Sequence, residues 1–223
     1  WPAFQSADYV AEAVVPGFFS GRTDGYFISK YFSGGRHKDH TLEKRLGTTR
    51  PESAQHAAPF RRGRWTTRHV VACQPSDAEQ MGDIYHKVFR TYPFPIQKPG
   101  YLKRMMKEGV RYFCIRIDGR IAAIAAAEID CRNENAEMTD FATLPEWRGL
   151  GLAGMLLRHM DRKMRDRGIK TAYTIARAAS HGMNAVFRNR RYLYAGLLKN
   201  NTQISGQIES MTVWYKPLRG QAE

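Results

Sequence analysis

The segment richest in chemical possibilities is Arg148-Gly-Leu-Gly-Leu-Ala-Gly154, which joins a strand-like run to an amphipathic helix. Glycines let backbone N–H groups turn toward one point, and a helix N-terminus adds partial positive charge. Together they suit a pyrophosphate, although a tight strand-to-helix connection would use the same residues. The stretch has no Gly-Lys-Ser/Thr and lacks Gly-x-Gly-x-x-Gly spacing, which argues against a Walker loop and a dinucleotide fold. Two acids, Glu137 and Asp140, stand three residues apart on the run leading into this loop. In a regular strand they face opposite sides, so only a bulge would gather them into one cleft.

The elements that position these residues follow from periodicity and turn chemistry. His69–Cys73 reads as a short strand, and Ser76-Asp-Ala-Glu79 as a capping box opening a helix to about Arg90. Tyr92-Pro-Phe-Pro95 breaks that helix, since proline removes a donor and restricts the residue before it. Tyr101–Lys107 is a second short helix. Arg111–Ile117 and Ile121–Ile129 flank Asp118-Gly119, a hairpin turn signal. Ala136–Thr143 is the next strand. Leu152, Met155, Leu156, Met160 and Met164 recur at helical spacing, and Gly168 closes that helix. Thr171–Ala176, a helix over Gly182–Arg191, and strands over Tyr192–Lys199 and Ser210–Lys216 complete an order of β-α-α-β-β-β-α-β-α-β-β. The expected class is α/β (α+β): a mixed, mostly antiparallel twisted sheet flanked by helices.

Arg148-x-x-Gly151-x-Ala153, approached by Pro145-Glu-Trp-Arg-Gly149, resembles the Arg/Gln-x-x-Gly-x-Gly/Ala signature of the GNAT superfamily of acyl-CoA-dependent N-acyltransferases. The element order is similar as well, and the likeness covers Thr67 to Lys216. Three longer strings resemble one family within it, the β-lysine N6-acetyltransferases. They are Glu137–Pro145, Thr171–Arg177 with Gly182-Met-Asn184, and Asn200–Lys216; Tyr92-Pro-Phe-Pro-Ile96 adds to them. This resemblance implies acetyl-CoA as cosubstrate, no metal, and transfer to the ε-amine of β-lysine. The product, Nε-acetyl-β-lysine, is a compatible solute, and lysine 2,3-aminomutase is the implied pathway partner.

A lysine-type amine has a pKa near ~10.4 and arrives protonated, so acyl transfer needs a base and a dipole for the carbonyl oxygen. The resemblance puts the base at Glu137. It puts the pantetheine arm along Phe141, Ala142 and Thr143, with Asn184 as a further hydrogen-bonding candidate. The pyrophosphate falls to Arg148, Gly149, Leu150, Gly151, Leu152, Ala153 and Gly154. Many family members carry a tyrosine where this chain has Phe187, and a glycine where it has Arg191. Tyr192, placed with Glu137 among the catalytic residues, and Tyr194 are nearby candidates for the acid, with strand core or surface as the other reading of both, and the thiolate could also leave unaided. A carboxylate wants an arginine fork or amide donors, for which Arg177 and an Asn200-Asn201-Thr202 turn are candidates. Asp140 or Glu209 suits a second ammonium, and Tyr92 and Phe94 could wall the aliphatic chain.

Outside this unit the chain is less informative. Residues 67–217 are the expected catalytic domain and 36–66 a basic linker. Arg36–His69 holds nine Lys/Arg against three acids, in a chain of 223 residues with net charge +14. Such a stretch reads as a solvated connector; a basic nucleic-acid-binding protein is the reading from another class. Within the enzyme class, another diamine or a protein lysine is the alternative acceptor. Phe4–Ala13 and Gly25–Lys30 parallel Phe187–Gly196 and Met211–Lys216, so residues 1–35 read as the remnant of a degenerate GNAT-like domain ending in a β-hairpin. The alternative is coincidence between two aromatic hairpins. Three cysteines and no Cys-x-x-Cys pair argue against a disulfide framework or zinc site, and a cytoplasmic setting is expected. The longest apolar stretch, Ile121–Ala127, is far short of the ~20 residues of a membrane helix.

Overall fold

The computed structural model describes residues 2–38 and 69–218; most of the expected basic linker lies outside the described residues. The strands are β1 (Val10–Phe19), β2 (Thr23–Ser29), β3 (Val70–Ala72), β4 (Arg111–Ile117), β5 (Arg120–Asp130), β6 (Asn135–Thr143), β7 (Thr171–Arg177), β8 (Leu193–Ile204) and β9 (Gln207–Pro217). The longer helices are α1 (Ala78–Val88), α2 (Pro99–Lys107), α3 (Leu152–Asp166) and α4 (His181–Asn189). Among the described residues all nine strands join one sheet in the order β2-β1-β8-β9-β7-β6-β5-β4-β3. Every pairing is antiparallel except β6 with β7. This is the mixed, mostly antiparallel sheet that the sequence implies.

Helices cover the two faces of the sheet. The α3 stripe of Leu152, Met155, Leu156, Met160 and Met164 is buried against Phe113, Ile115, Ala136, Met138 and Ala172. On the opposite face Met81, Ile84, Tyr85 and Leu102 of α1 and α2 pack on Tyr112, Cys114, Ile124 and Ala126. Asp118-Gly119 forms the expected hairpin with both φ values positive, 49° and 77°.

Two local expectations need correction. The N-terminal cap of the first helix is not Ser76 with Glu79. The Gln74 N–H donates to the Asp77 carboxylate at 2.8 Å, and a 3-10 turn over Pro75–Asp77 leads into α1. Asn200-Asn201-Thr202 is not a turn. It lies inside β8 at a register shift between Leu198 and Thr202. The reversal comes at Ser205-Gly206, with φ of 56° and 85°.

The β6–β7 pair sets up the site. Parallel pairing runs only from Asn135 to Glu137 against Thr171 to Tyr173. Beyond that point the strands separate, leaving a wedge between the ends of β6 and β7. A hairpin of β1 and β2 closes the narrow end. Its tip is held by the Asn135 amide donating to the Phe18 carbonyl at 3.1 Å and by the Thr171 hydroxyl donating to the Gly17 carbonyl at 2.7 Å. Against β8 the hairpin comes so close at Gly196 that a Cβ there would collide with the backbone of Glu12 and Ala13.

Candidate active site

The strand β6 carries the bulge that the two acids require. Its register with β5 shifts between Thr139 and Ala142, and Asp140 adopts φ of 54°. Ala136 and Met138 pack under α3, whereas Ala142, beyond the bulge, packs on the α1–α2 side. Glu137 and Asp140 therefore share the α1–α2 face. Tyr92, from the connection between α1 and α2, donates to Asp140 at 2.6 Å.

Burial dominates the electrostatics here. It pushes the Glu137 carboxyl up to about 8, helped by the charges of Glu128 and Asp140, while hydrogen bonds from the Tyr173 hydroxyl and the Ile175 N–H act the other way. Asp140 is pushed up to about 6, again by burial first. A carboxylate in this range is matched to accepting a proton near neutral pH.

The loop has the features of an anion cradle. Gly149 and Gly151 adopt φ of 80° and 74°, a conformation glycine takes without strain. Gly151 caps α3, and the first intrahelical bond runs from the Met155 N–H to the Gly151 carbonyl. The amides of the first turn, Leu152 to Gly154, are thus left without intrahelical partners and point past the N-terminus. Arg148 donates to the Thr143 carbonyl at 3.3 Å, and Leu150 packs on the core. The Phe141–Thr143 edge lies where β6 no longer pairs with β7. A free extended edge ending at an anion cradle fits a long thioester arm carrying a pyrophosphate.

Residues 78–191 match the acetyltransferase (GNAT) family. The chain belongs to the GNAT family. It is an N-acetyltransferase, and acetyl-CoA is its acyl donor. It is 37% identical to the β-lysine N(6)-acetyltransferase of Methanococcus maripaludis, over 96% of this chain and 77% of that one. It is 28% identical to the protein of that name from Methanosarcina mazei, over 96% and 86%. In fold it is similar to a Salmonella typhimurium protein whose structure holds acetyl-CoA (TM-score 0.58, 14% identity, 69% of this chain and 95% of that one).

Several residues expected in this GNAT site are placed elsewhere. Tyr192 is buried and donates its only proton to Asp161 at 2.7 Å; Asp161 also holds Lys216 at 2.6 Å. It belongs to the core under α3, with its hydroxyl committed to Asp161. Phe187, at the usual tyrosine position, packs edge-on against Phe141 with ring centroids 5.6 Å apart. Asn184 has no hydrogen-bonding capacity left for a pantetheine arm. Its amide nitrogen donates to the Arg177 and Ser180 carbonyls, and its oxygen accepts from Thr212 and Trp214. It ties α4 to β9 instead. The Asn200 amide donates to the carbonyls of Arg36 and Lys38, and Asn201 accepts from its neighbour Thr202, so both serve local structure. Phe94 is largely exposed.

Arg177 and Glu209 do come together, as a two-bond fork of 2.8 and 2.6 Å, but with each other. Arg177 follows Tyr173 and Ile175 on the Glu137 face of β7.

Sequence reasoning missed Glu128, Tyr173 and Phe18. Glu128 pairs directly with Glu137 across β5–β6, which a hairpin register counted from the turn before Asn135 would have revealed. Among the described residues no grouping of His, Cys, Asp or Glu could hold a metal ion, and no helix is long and apolar enough to cross a membrane.

Proposed function

We propose that this enzyme acetylates the N6 amine of β-lysine, giving Nε-acetyl-β-lysine, with Glu137 as general base. The acceptor rests on the likeness, along nearly the whole chain, to enzymes of that name. The base rests on the position and raised proton affinity of Glu137 at the narrow end of the β6–β7 wedge. Acetyl-CoA supplies an activated acyl group as a thioester. The amides of Leu152–Gly154 and the glycine turn receive its pyrophosphate, and the open edge of β6 at Phe141–Thr143 aligns its arm. Glu137 takes the proton from the incoming ammonium, freeing the nitrogen lone pair to attack the carbonyl carbon. A backbone N–H of the β6 edge faces the carbonyl oxygen as charge develops there. With Tyr192 committed to Asp161 and Phe187 carrying no proton, the sulfur leaves as thiolate, which a thiol pKa of ~8.5 allows, and the second proton, left on the nitrogen by the attack, passes to that thiolate or to solvent as the amide forms.

Tyr92 holds Asp140 beside this path, and the Arg177–Glu209 fork offers the remaining guanidinium donors to the substrate carboxylate. The product's role as a compatible solute, a pathway link to lysine 2,3-aminomutase and a cytoplasmic setting belong to this same reading. So does the hairpin as the end of a degenerate second GNAT-like domain, in keeping with its pairing to β8. Steady-state thiol release with β-lysine, α-lysine, ornithine and putrescine tests the acceptor. A kcat/KM for β-lysine at least ~10²-fold above putrescine is expected from recognition of its carboxylate. Equal values would remove β-lysine and leave the acetyltransferase intact.

A further inference from the structure

Glu128 is an acid that the chemistry above does not use. It stands on the α1–α2 face opposite Glu137, and it lines an open cleft of about 260 Å³ with Phe18, Ile129, Asp130, Asn135 and Tyr173. The rings of Phe18 and Tyr173 lie 5.0 Å apart at one side of it. Phe18 comes from the β1–β2 hairpin, outside the segment matching the GNAT family. The cleft wall is therefore an addition to the catalytic unit.

The charge balance of this region points to a ligand. Glu128, Glu137 and Asp140 influence one another, yet among the described residues none of the three has an ion-pair partner. Glu137 accepts from Tyr173 and Ile175, and Asp140 from Tyr92, while Glu128 is exposed and open to a cation from solution. Aromatic faces beside a carboxylate suit an alkylammonium, which gains from both.

We propose that the cleft between Phe18, Tyr173 and Glu128 is the subsite for the second ammonium of a diamino substrate, with Glu128 as the residue that selects it. The inference rests on the β-lysine reading and extends it. Cross-strand neighbours have Cβ atoms about 5 Å apart, so a nitrogen four carbons from the reacting amine reaches Glu128 while the first is at Glu137. The hairpin shapes the outer wall, so specificity for a diamine depends on residues outside the segment that matches the GNAT family.

Two analogues separate the groups of β-lysine. Putrescine keeps both nitrogens at the same carbon spacing and lacks the carboxylate; 6-aminohexanoate keeps the reacting amine and the carboxylate and lacks the second ammonium. Glu128→Gln should lower kcat/KM for β-lysine and for putrescine by roughly 10- to 100-fold, the range for losing a charge-assisted contact, and leave 6-aminohexanoate within about 3-fold. Glu128→Asp, which keeps the charge, should recover part of the loss. Calorimetric acetyl-CoA affinity should be unchanged in both variants. Equal losses for all three amines, or none, would overturn the assignment. Wild-type enzyme that acetylates none of them would overturn the β-lysine reading itself, and the subsite with it.

Discussion

Replacing Glu137 by Gln should impair catalysis and stabilise the fold, and the two effects should follow pH in linked ways. Gln keeps the size of the side chain and an oxygen to accept from Tyr173 and Ile175, but it cannot take a proton. The rate loss at pH 8 should be ~10²–10⁴-fold, the usual worth of a general base. It should shrink as pH approaches the substrate amine's pKa near ~10.4, where the amine arrives neutral. The stability effect follows from the carboxyl's rise from 4.5 to about 8 in the folded state. Below pH 4.5 the carboxyl is protonated in both folded and unfolded chains, and Gln has little effect. Between these values the unfolded chain ionises first, so wild-type stability falls with rising pH. Above about 8 the full cost of the buried anion is present. At about 1.4 kcal/mol per pH unit, the ceiling is roughly 5 kcal/mol. The groups facing Glu137 are Glu128 on β5, Asp140 on β6 and Tyr173 on β7, and the two acids add to the rise. Urea denaturation of both proteins between pH 5 and 9 measures the difference, and coupled thiol release gives the rate ratio. A stability difference that does not grow with pH, together with a rate ratio flat from pH 7 to about 10, would refute Glu137 as a buried base.

Gly151→Glu should weaken acetyl-CoA binding by more than ~10-fold in calorimetry, because it forces a side chain into positive φ and sets an anion against the pyrophosphate. Tyr192→Phe should lose about 1 kcal/mol of stability in urea denaturation with kcat within about 3-fold, since its hydroxyl serves only Asp161; a large drop in kcat would return this residue to the chemistry. Asn184→Ala should cost roughly 1–3 kcal/mol by unpairing Thr212 and Trp214, while acetyl-CoA affinity stays within about 3-fold.

The element order was legible because each element carries a local signal. The α3 stripe is periodic, Asp118-Gly119 is a hairpin turn, and the glycines before α3 leave few alternatives. The need for a bulge between Glu137 and Asp140 was also visible from their spacing, although its presence depends on pairing with β5. Residues whose roles depend on distant partners were not legible. Asn184 looks like a ligand contact until Thr212 and Trp214, far along the chain, occupy its oxygen. Tyr192 looks available until Asp161 on α3 accepts the hydrogen bond of its hydroxyl. Arg177 and Glu209 satisfy the charge demands of a substrate, but they satisfy each other's first. Glu128 was missed because its importance comes only from the strand opposite, and Phe18 because it arrives from a hairpin outside the catalytic unit.

The central claim is tested most directly by mass spectrometry of the products formed from acetyl-CoA and an equimolar mixture of β-lysine, α-lysine, ornithine and putrescine. The account predicts a single dominant product, β-lysine carrying one acetyl group, with fragmentation placing it on N6. Acetylation spread evenly over the four amines, or placed on the β-nitrogen, would contradict it.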